Sequence, residues 1–282
     1  MRPLHPVMAL ALAGGLALAA AAAAQEAEKD KEMATSVDKG GTVHINAVKN
    51  PELRAYRAIV AGLDAFDAHH ALAPAVPQLR FQVEGRGGKA LEGEPPVARI
   101  AADDFSIPLP LDERARFSVP RSQAAWDAKA ELVLNRRKHD VRVETWVRTP
   151  GLADNQVRMG DIRLDCRVKV AIGKAELPFW AVGLVNGILL TSDWCSWFTG
   201  PTPKGGDRSW SRNADAQLSA ATLRDGERSL ALKVSGKSFR VPIGDTGWSN
   251  DALVELAFAP PEPPAQAGPL TRTAGETPRT GP

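Results

Sequence analysis

The feature that most constrains the fold is a change in the spacing of apolar residues near Pro77. Before this point, apolar residues recur at helical spacing, at Leu53, Tyr56, Val60 and Leu63. After it, apolar and polar residues alternate in short segments, a pattern typical of strands with one buried face. With about ten such segments, we predict a mainly β chain: antiparallel β-sandwiches, one N-terminal amphipathic helix and disordered termini.

Local signals set the expected bounds of these elements. Asn50 as N-cap and Pro51 as first helical residue predict a helix from about residue 50 to His69–His70. Ile162–Val170 has the cleanest alternation and is the clearest predicted strand. Asn186-Gly187 between two apolar runs predicts a β-hairpin over 181–191, with a buried helix as the alternative. The other strands are predicted at 79–83, 105–111, 117–119, 141–147, 230–234, 239–243 and 254–258.

The N-terminus has the pattern of a secretory signal peptide. Arg2 precedes an apolar run that ends in Ala22-Ala23-Ala24, where the sequence turns polar. We therefore expect cleavage after Ala24 and a soluble protein in the periplasm or outside the cell. The most apolar later stretch, 180–191, is too short to span a bilayer, so no transmembrane segment is expected after cleavage.

Composition divides the rest of the chain into five parts. We expect a polar linker at 25–49 and an amphipathic helix with its connector at 50–76. A transthyretin-like β-sandwich at 77–170 follows, and then a second β region at 171–258, in the same or a separate domain. The Pro-rich tail at 259–282 cannot bury enough apolar surface to fold, and we expect it to be disordered.

Two short motifs resemble a known family. Ser106–Arg121 (SIPLPLDERARFSVPR) resembles a strand-turn-strand, and Met159–Leu164 (MGDIRL) a closing strand, of carboxypeptidase-regulatory-like (transthyretin-like) domains. The resemblance covers residues 79–170. It implies a non-catalytic accessory or structural module, and it names no substrate.

The two cysteines, Cys166 and Cys195, predict a disulfide. An even number of cysteines in an exported chain favours pairing, and two buried free thiols are the alternative. Such a bond would stabilise the fold by about 3–4 kcal/mol through loop closure. Two sulfurs alone make no closed zinc site, so no metal is expected there.

A tryptophan-rich segment is the main candidate for ligand binding. Trp194, Trp197 and Trp210 lie in and beside a loop-forming stretch, and could stack on sugar rings. The polar partners would be Asp193, Asp207 and Arg208. The alternative is that these tryptophans belong to the core beside the disulfide.

Other patterns limit the function classes. The net charge of +2 argues against nucleic-acid binding. No nucleophile, metal or cofactor motif is present, so we expect no catalytic residue and no cofactor.

The leading hypothesis is an exported non-catalytic module that binds or scaffolds an envelope glycan or protein. One alternative is glycan or peptidoglycan binding through the tryptophan segment. Another is an enzyme with an unrecognised site around Asp193, Asp207 and Arg208.

Overall fold

A computed structural model describes Val48 and residues 50–260. The protein is mainly β, with 34% strand and 27% helix. The mainly β class is therefore confirmed, while the sandwich arrangement stays a prediction. The predicted signal peptide, nearly all of the linker at 25–49 and the tail from residue 261 lie outside the described residues.

The first half of the described chain forms what we call the first lobe. Its strands are β1 (Pro51–Ala55), β2 (Arg80–Gly85), β3 (Ala98–Ala102), β4 (Phe105–Leu109), β5 (Arg116–Phe117), β6 (Glu131–Arg137) and β7 (Val141–Trp146). Its helices are α1 (Tyr56–Ala68) and α2 (Gln123–Asp127). The strands form two antiparallel sheets, in the orders β1-β6-β3-β4 and β5-β2-β7. They share one apolar core that includes Tyr56, Phe81, Ile100 and Leu132.

The second half of the described chain forms what we call the second lobe. Its strands are β8 (Gln156–Arg158), β9 (Gly200–Pro201), β10 (Asp207–Arg208), β11 (Trp210–Asn213), β12 (Leu218–Asp225), β13 (Arg228–Leu232), β14 (Val234–Ser235), β15 (Ser238–Val241) and β16 (Leu253–Phe258). They form antiparallel sheets in the orders β13-β12-β16-β8, β11-β15-β14 and β10-β9. A separate apolar core contains Leu223, Phe239 and Trp248.

Two further helices, α3 (Met159–Glu176) and α4 (Phe179–Leu189), lie between these halves in sequence. Helix α3 corrects the prediction of a strand at Ile162–Val170. One stripe of α3 packs into the first core and consists of Leu164, Val168 and Ile172. Another stripe packs into the second core and consists of Met159, Ile162 and Cys166. Each stripe has helical spacing, but the two together put an apolar residue at every second position. The alternation therefore came from a helix buried on two sides.

Two other predicted elements are also corrected. The helix predicted from Asn50 begins at Tyr56, because residues from Pro51 to Ala55 pair with β6 as strand β1. The ladder of hydrogen bonds to β6 outweighs the local capping signal. The predicted hairpin over 181–191 is helix α4 instead, and it is not the buried alternative, because no residue of α4 is buried.

Most of the remaining strands are confirmed where the alternation predicted them. β2, β4, β5, β7, β13, β15 and β16 overlap the predicted segments. Strand β4 lies at the edge of its sheet, as its Pro108 requires. The family motif at Met159–Leu164 falls in α3 rather than in a closing strand.

The start of α3 is fixed by close backbone contacts and a buried carboxylate. Asp161 accepts hydrogen bonds from the Thr149 backbone N–H and hydroxyl at 2.8 and 2.7 Å. A Cβ at Gly160 would lie 2.0 Å from the Leu72 carbonyl oxygen, so only glycine fits at this position. These contacts hold the helix in register with both lobes.

The predicted disulfide between Cys166 and Cys195 is confirmed. It joins α3 to a short 3-10 turn at Trp194–Trp197. Disulfides persist in oxidising compartments, so the bond agrees with a location outside the cytoplasm. No helix within the described part of the chain is long and apolar enough to cross a membrane.

Candidate functional site: the cleft between the lobes

Both lobes contribute to an open cleft of about 1200 Å³. The first lobe lines it with β2, β7 and the turn before β5. The second lobe lines it with β11 and the turn that follows, and with β14. Helix α3 contributes Asp165 and Lys169. Most of the lining side chains are polar or charged, unlike the apolar pockets typical of drug-like ligands.

A buried acid, Asp165, organises this side of the cleft. The Asp165 carboxylate is 1% exposed, and one of its oxygens accepts a hydrogen bond from the Thr145 hydroxyl. Its other oxygen lies 3.3 Å from the ammonium of Lys169 and 3.3 Å from the guanidinium of Arg212. Asp165 is therefore bound on both oxygens by groups from β7, α3 and β11.

The ion pairs continue from Asp165 across the first lobe. The Lys169 ammonium lies 2.9 Å from Glu144, which also lies 3.3 Å from Arg142. Arg142 in turn pairs with Glu84 at 2.8 Å. Burial alone would lower the pKa of Lys169, but the carboxylates of Asp165 and Glu144 outweigh it and raise that pKa. The network contains three cations and three anions, so it is balanced within itself.

Arg116 is held on the cleft wall in a prearranged position. Its guanidinium carbon lies 3.6 Å from the centre of the Trp146 ring, a cation–π contact that fixes its plane. Burial lowers the pKa of Arg116, although Asp112 and Asp215 oppose this effect. Among the described residues, no carboxylate lies within 4 Å of this guanidinium. The group keeps free donors toward the cleft.

Three other cations that line the cleft also lack a nearby carboxylate among the described residues. Lys89, Arg114 and Lys237 have no carboxylate within 4 Å in the part of the chain that the structure describes. The unpaired lining acids are Glu113, Asp154 and Asp215. The cleft thus offers unpaired charges of both signs, with cations in slight excess.

The structure separates the tryptophans of the sequence-predicted site into two groups. Trp194 lies beside α3 and α4, where its Nε1 donates to the Asn186 side chain and the Lys174 ammonium lies over its ring. Trp197 and Trp210 instead each contact Phe198 edge-on, with ring centroids 5.5 and 4.9 Å from that of Phe198. Trp210 also packs against the second core. Trp194 thus has different neighbours from Trp197 and Trp210.

The predicted polar partners already have intramolecular contacts. Asp193 accepts from the backbone N–H groups of Cys195 and Ser196 and pairs with Arg167 at 2.5 Å. It also lines a second cavity of about 450 Å³. Asp207 accepts from the Ser209 hydroxyl, and hydrogen bonding and nearby cations lower its pKa. Arg208 lies over the Trp197 ring at 5.0 Å.

Sequence reasoning missed the cleft because it assigned Asp165 and Lys169 to the solvent face of a strand. On a helix, residues four apart lie on one face, and this spacing was the available signal. Thr145, Arg212 and Arg116 come from distant segments, and no local pattern connects them. The described residues contain no cluster of three or more metal-ligating side chains.

Comparison with known proteins found no match to this chain. No family model matches it, and neither does any curated protein or any solved structure.

Proposed function

We propose that this chain is an exported, non-catalytic binding module of the cell envelope, and that the cleft between its lobes binds an acidic glycan. The observation that carries the proposal is the composition of the cleft. It is large, open and polar, and its cations Lys89, Arg114, Arg116 and Lys237 lack carboxylate partners among the described residues. A ligand with many hydroxyl and amide groups and a few carboxylates complements such a surface.

The engaged state of the buried acid supports binding rather than acid–base catalysis. Both oxygens of Asp165 are occupied by Thr145, Lys169 and Arg212. A general acid or base needs an oxygen within reach of the substrate. Glu144 is likewise paired with Lys169 and Arg142. These residues are better suited to hold the cleft walls in place.

Arg116 is the residue best placed to recognise a ligand carboxylate. A guanidinium that is already oriented and partly removed from water loses little entropy when an anion binds. The charge-assisted hydrogen bond is also stronger than a neutral one. The export signal and the disulfide favour an envelope ligand, and peptidoglycan fragments carry both sugars and carboxylates.

The test is calorimetric titration with three probes: a disaccharide-tetrapeptide muropeptide, a neutral chitin tetrasaccharide and the free stem peptide. We expect the muropeptide to bind most tightly, and more weakly as salt is added. Arg116→Met should weaken it by at least about tenfold, because the variant keeps the packing on Trp146 but loses the charge.

Arg121→Met is the matched control. Arg121 is another arginine of the first lobe that, unlike Arg116, forms close ion pairs, with Asp64 and Asp67 on α1, and it does not line the cleft. Equal weakening in both variants would contradict the proposal. If the neutral sugar or the free peptide binds most tightly, the proposal of an acidic glycan is wrong and the ligand belongs to that other class.

A further inference from the structure

Helix α4 has an apolar face that no described part of the chain covers. Its outward residues are Phe179, Trp180, Gly183, Leu184, Gly187 and Ile188, and we call them the α4 face. The exposed fractions of Phe179, Trp180 and Ile188 are 88%, 63% and 71%. Leu190, just after the helix, is 90% exposed. A contiguous exposed apolar surface of this kind marks an interaction site.

The α4 face contains no polar side chain. The segment from Leu177 to Leu190 has no charged residue, and its one polar side chain belongs to Asn186. That side chain is turned inward, where its Oδ1 accepts a hydrogen bond from Trp194 Nε1 at 2.7 Å. Apart from the Trp180 indole N–H, the face offers an occupant no hydrogen-bonding group.

One uncompensated cation beside the segment, Lys174, favours an anionic surface. Glu176 precedes it and is neutralised by Arg54 at 3.0 Å, and Asp193 follows it and is neutralised by Arg167 at 2.5 Å. Lys174 lies nearby and has no carboxylate within 4 Å among the described residues. It donates to the Ser192 carbonyl. The apolar face is thus bordered by a net positive charge.

The size of the α4 face selects a lipid surface over a second copy of the chain. Eleven residues of helix extend about 16 Å and are about 10 Å wide. The α4 face comprises six residues, whereas a standard protein interface takes about 20–30 residues from each partner. The helix is also too short to cross a hydrocarbon core of about 30 Å.

We propose that α4 lies in the headgroup region of a bilayer containing anionic phospholipid, with its exposed face toward the acyl chains. Amphipathic helices bind this region with their apolar side chains inserted by about 5–10 Å. Here the body of the protein occupies the other side of the helix. Trp180 would lie at the interface, where tryptophan is enriched in membrane proteins.

The test uses the full chain and lipid vesicles. The vesicles contain phosphatidylcholine brominated in its acyl chains, and about one lipid in three is the anionic phosphatidylglycerol. Bromine on the acyl chains quenches only tryptophans that lie close to it in the bilayer. The first 125 residues contain no tryptophan, so this part of the chain gives no tryptophan signal. We expect quenching in the native chain and its loss in Trp180→Phe. The double variant Leu184→Glu/Ile188→Glu should abolish quenching, because it places two carboxylates on the face.

The matched control is Val97→Glu, which puts a carboxylate on another exposed apolar residue, 56% exposed, in the first lobe. It should be quenched like the native chain, and all variants should keep the native circular dichroism. Absence of quenching in the native chain would overturn the proposal, as would equal quenching in all variants. A concentration-dependent dimer that the double variant abolishes would overturn it in favour of a second copy.

Discussion

At the scale of single residues, the structure depends on charges that are buried and matched. Asp165 holds two cations, Lys169 and Arg212, against a nearly inaccessible carboxylate. Removing one partner of a buried ion pair costs more than the pair itself contributes, because the remaining charge stays out of water. This asymmetry makes Asp165 the most sensitive residue of the cleft.

Asp165→Asn should lower the free energy of unfolding by about 3 kcal/mol, because it leaves the Arg212 guanidinium without its anion and Lys169 with Glu144 alone. Urea unfolding followed by circular dichroism measures the loss. Asp251→Asn is the control: Asp251 also pairs with an arginine, Arg158, but its side chain is 84% exposed. We expect a loss below about 1 kcal/mol there. Equal losses in both variants would contradict this account of Asp165.

Glu52 makes stability depend on pH in the opposite sense to an acid whose pKa is lowered by folding, although Arg86 lies 4.0 Å from its carboxylate. Its carboxylate is buried, and one of its oxygens has no hydrogen-bond partner within the described structure. Burial raises the pKa of Glu52 above its usual value of 4.5, although Arg86 and Arg54 oppose this effect. The native state therefore binds this proton more tightly than the unfolded chain does, and ionisation destabilises the fold.

Glu52→Gln should consequently be more stable than the native chain at pH values above the raised pKa of Glu52, where the native chain has to ionise a buried carboxyl. The difference should shrink as the pH falls toward 4.5, because the native carboxyl is then neutral too. Chemical unfolding across this pH range measures it. The control Glu227→Gln removes an exposed carboxylate and should shift stability by less than about 0.5 kcal/mol. A pH-independent difference would contradict the assignment.

At the scale of elements, α3 shows both the reach and the limit of sequence patterns. Elements with a single buried face were predictable. In β2 and β7, buried residues alternate with partly exposed ones. Helix α3 packs against two cores, and the overlap of its two stripes imitates the period of a strand. Helix α4 was predicted as a hairpin because Asn186-Gly187 separates two apolar runs, and the helix kept as the alternative was expected to be buried, which α4 is not.

The two glycines of α3 should respond to alanine in opposite directions. Gly160→Ala should destabilise by about 2–3 kcal/mol, since its Cβ would collide with the Leu72 carbonyl and force the helix to move. Gly173→Ala meets nothing within 4 Å and should stabilise by about 0.5–1 kcal/mol, because alanine restricts the unfolded chain. Thermal unfolding of both variants gives the comparison. Destabilisation by Gly173→Ala would show that this turn of α3 is tighter than described.

At the scale of the whole molecule, the cleft exists because α3 joins two separate cores. Its residues come from β2, β7, α3 and β11, which are far apart in the chain. Composition and alternation predicted the strands and the disulfide, since these depend on local spacing and compartment. The site depends on how the lobes meet, and no local pattern encodes that arrangement.

The most direct measurement of the central claim is hydrogen exchange of the full chain with and without a saturating disaccharide-tetrapeptide muropeptide. The account predicts slower exchange in segments from both lobes that face the cleft, 80–85, 141–146 and 211–217. Segments 193–208 and 179–189 should stay unchanged. Slower exchange confined to 193–208 would move the ligand to the tryptophan segment. No change in any segment would contradict a glycan site in the cleft.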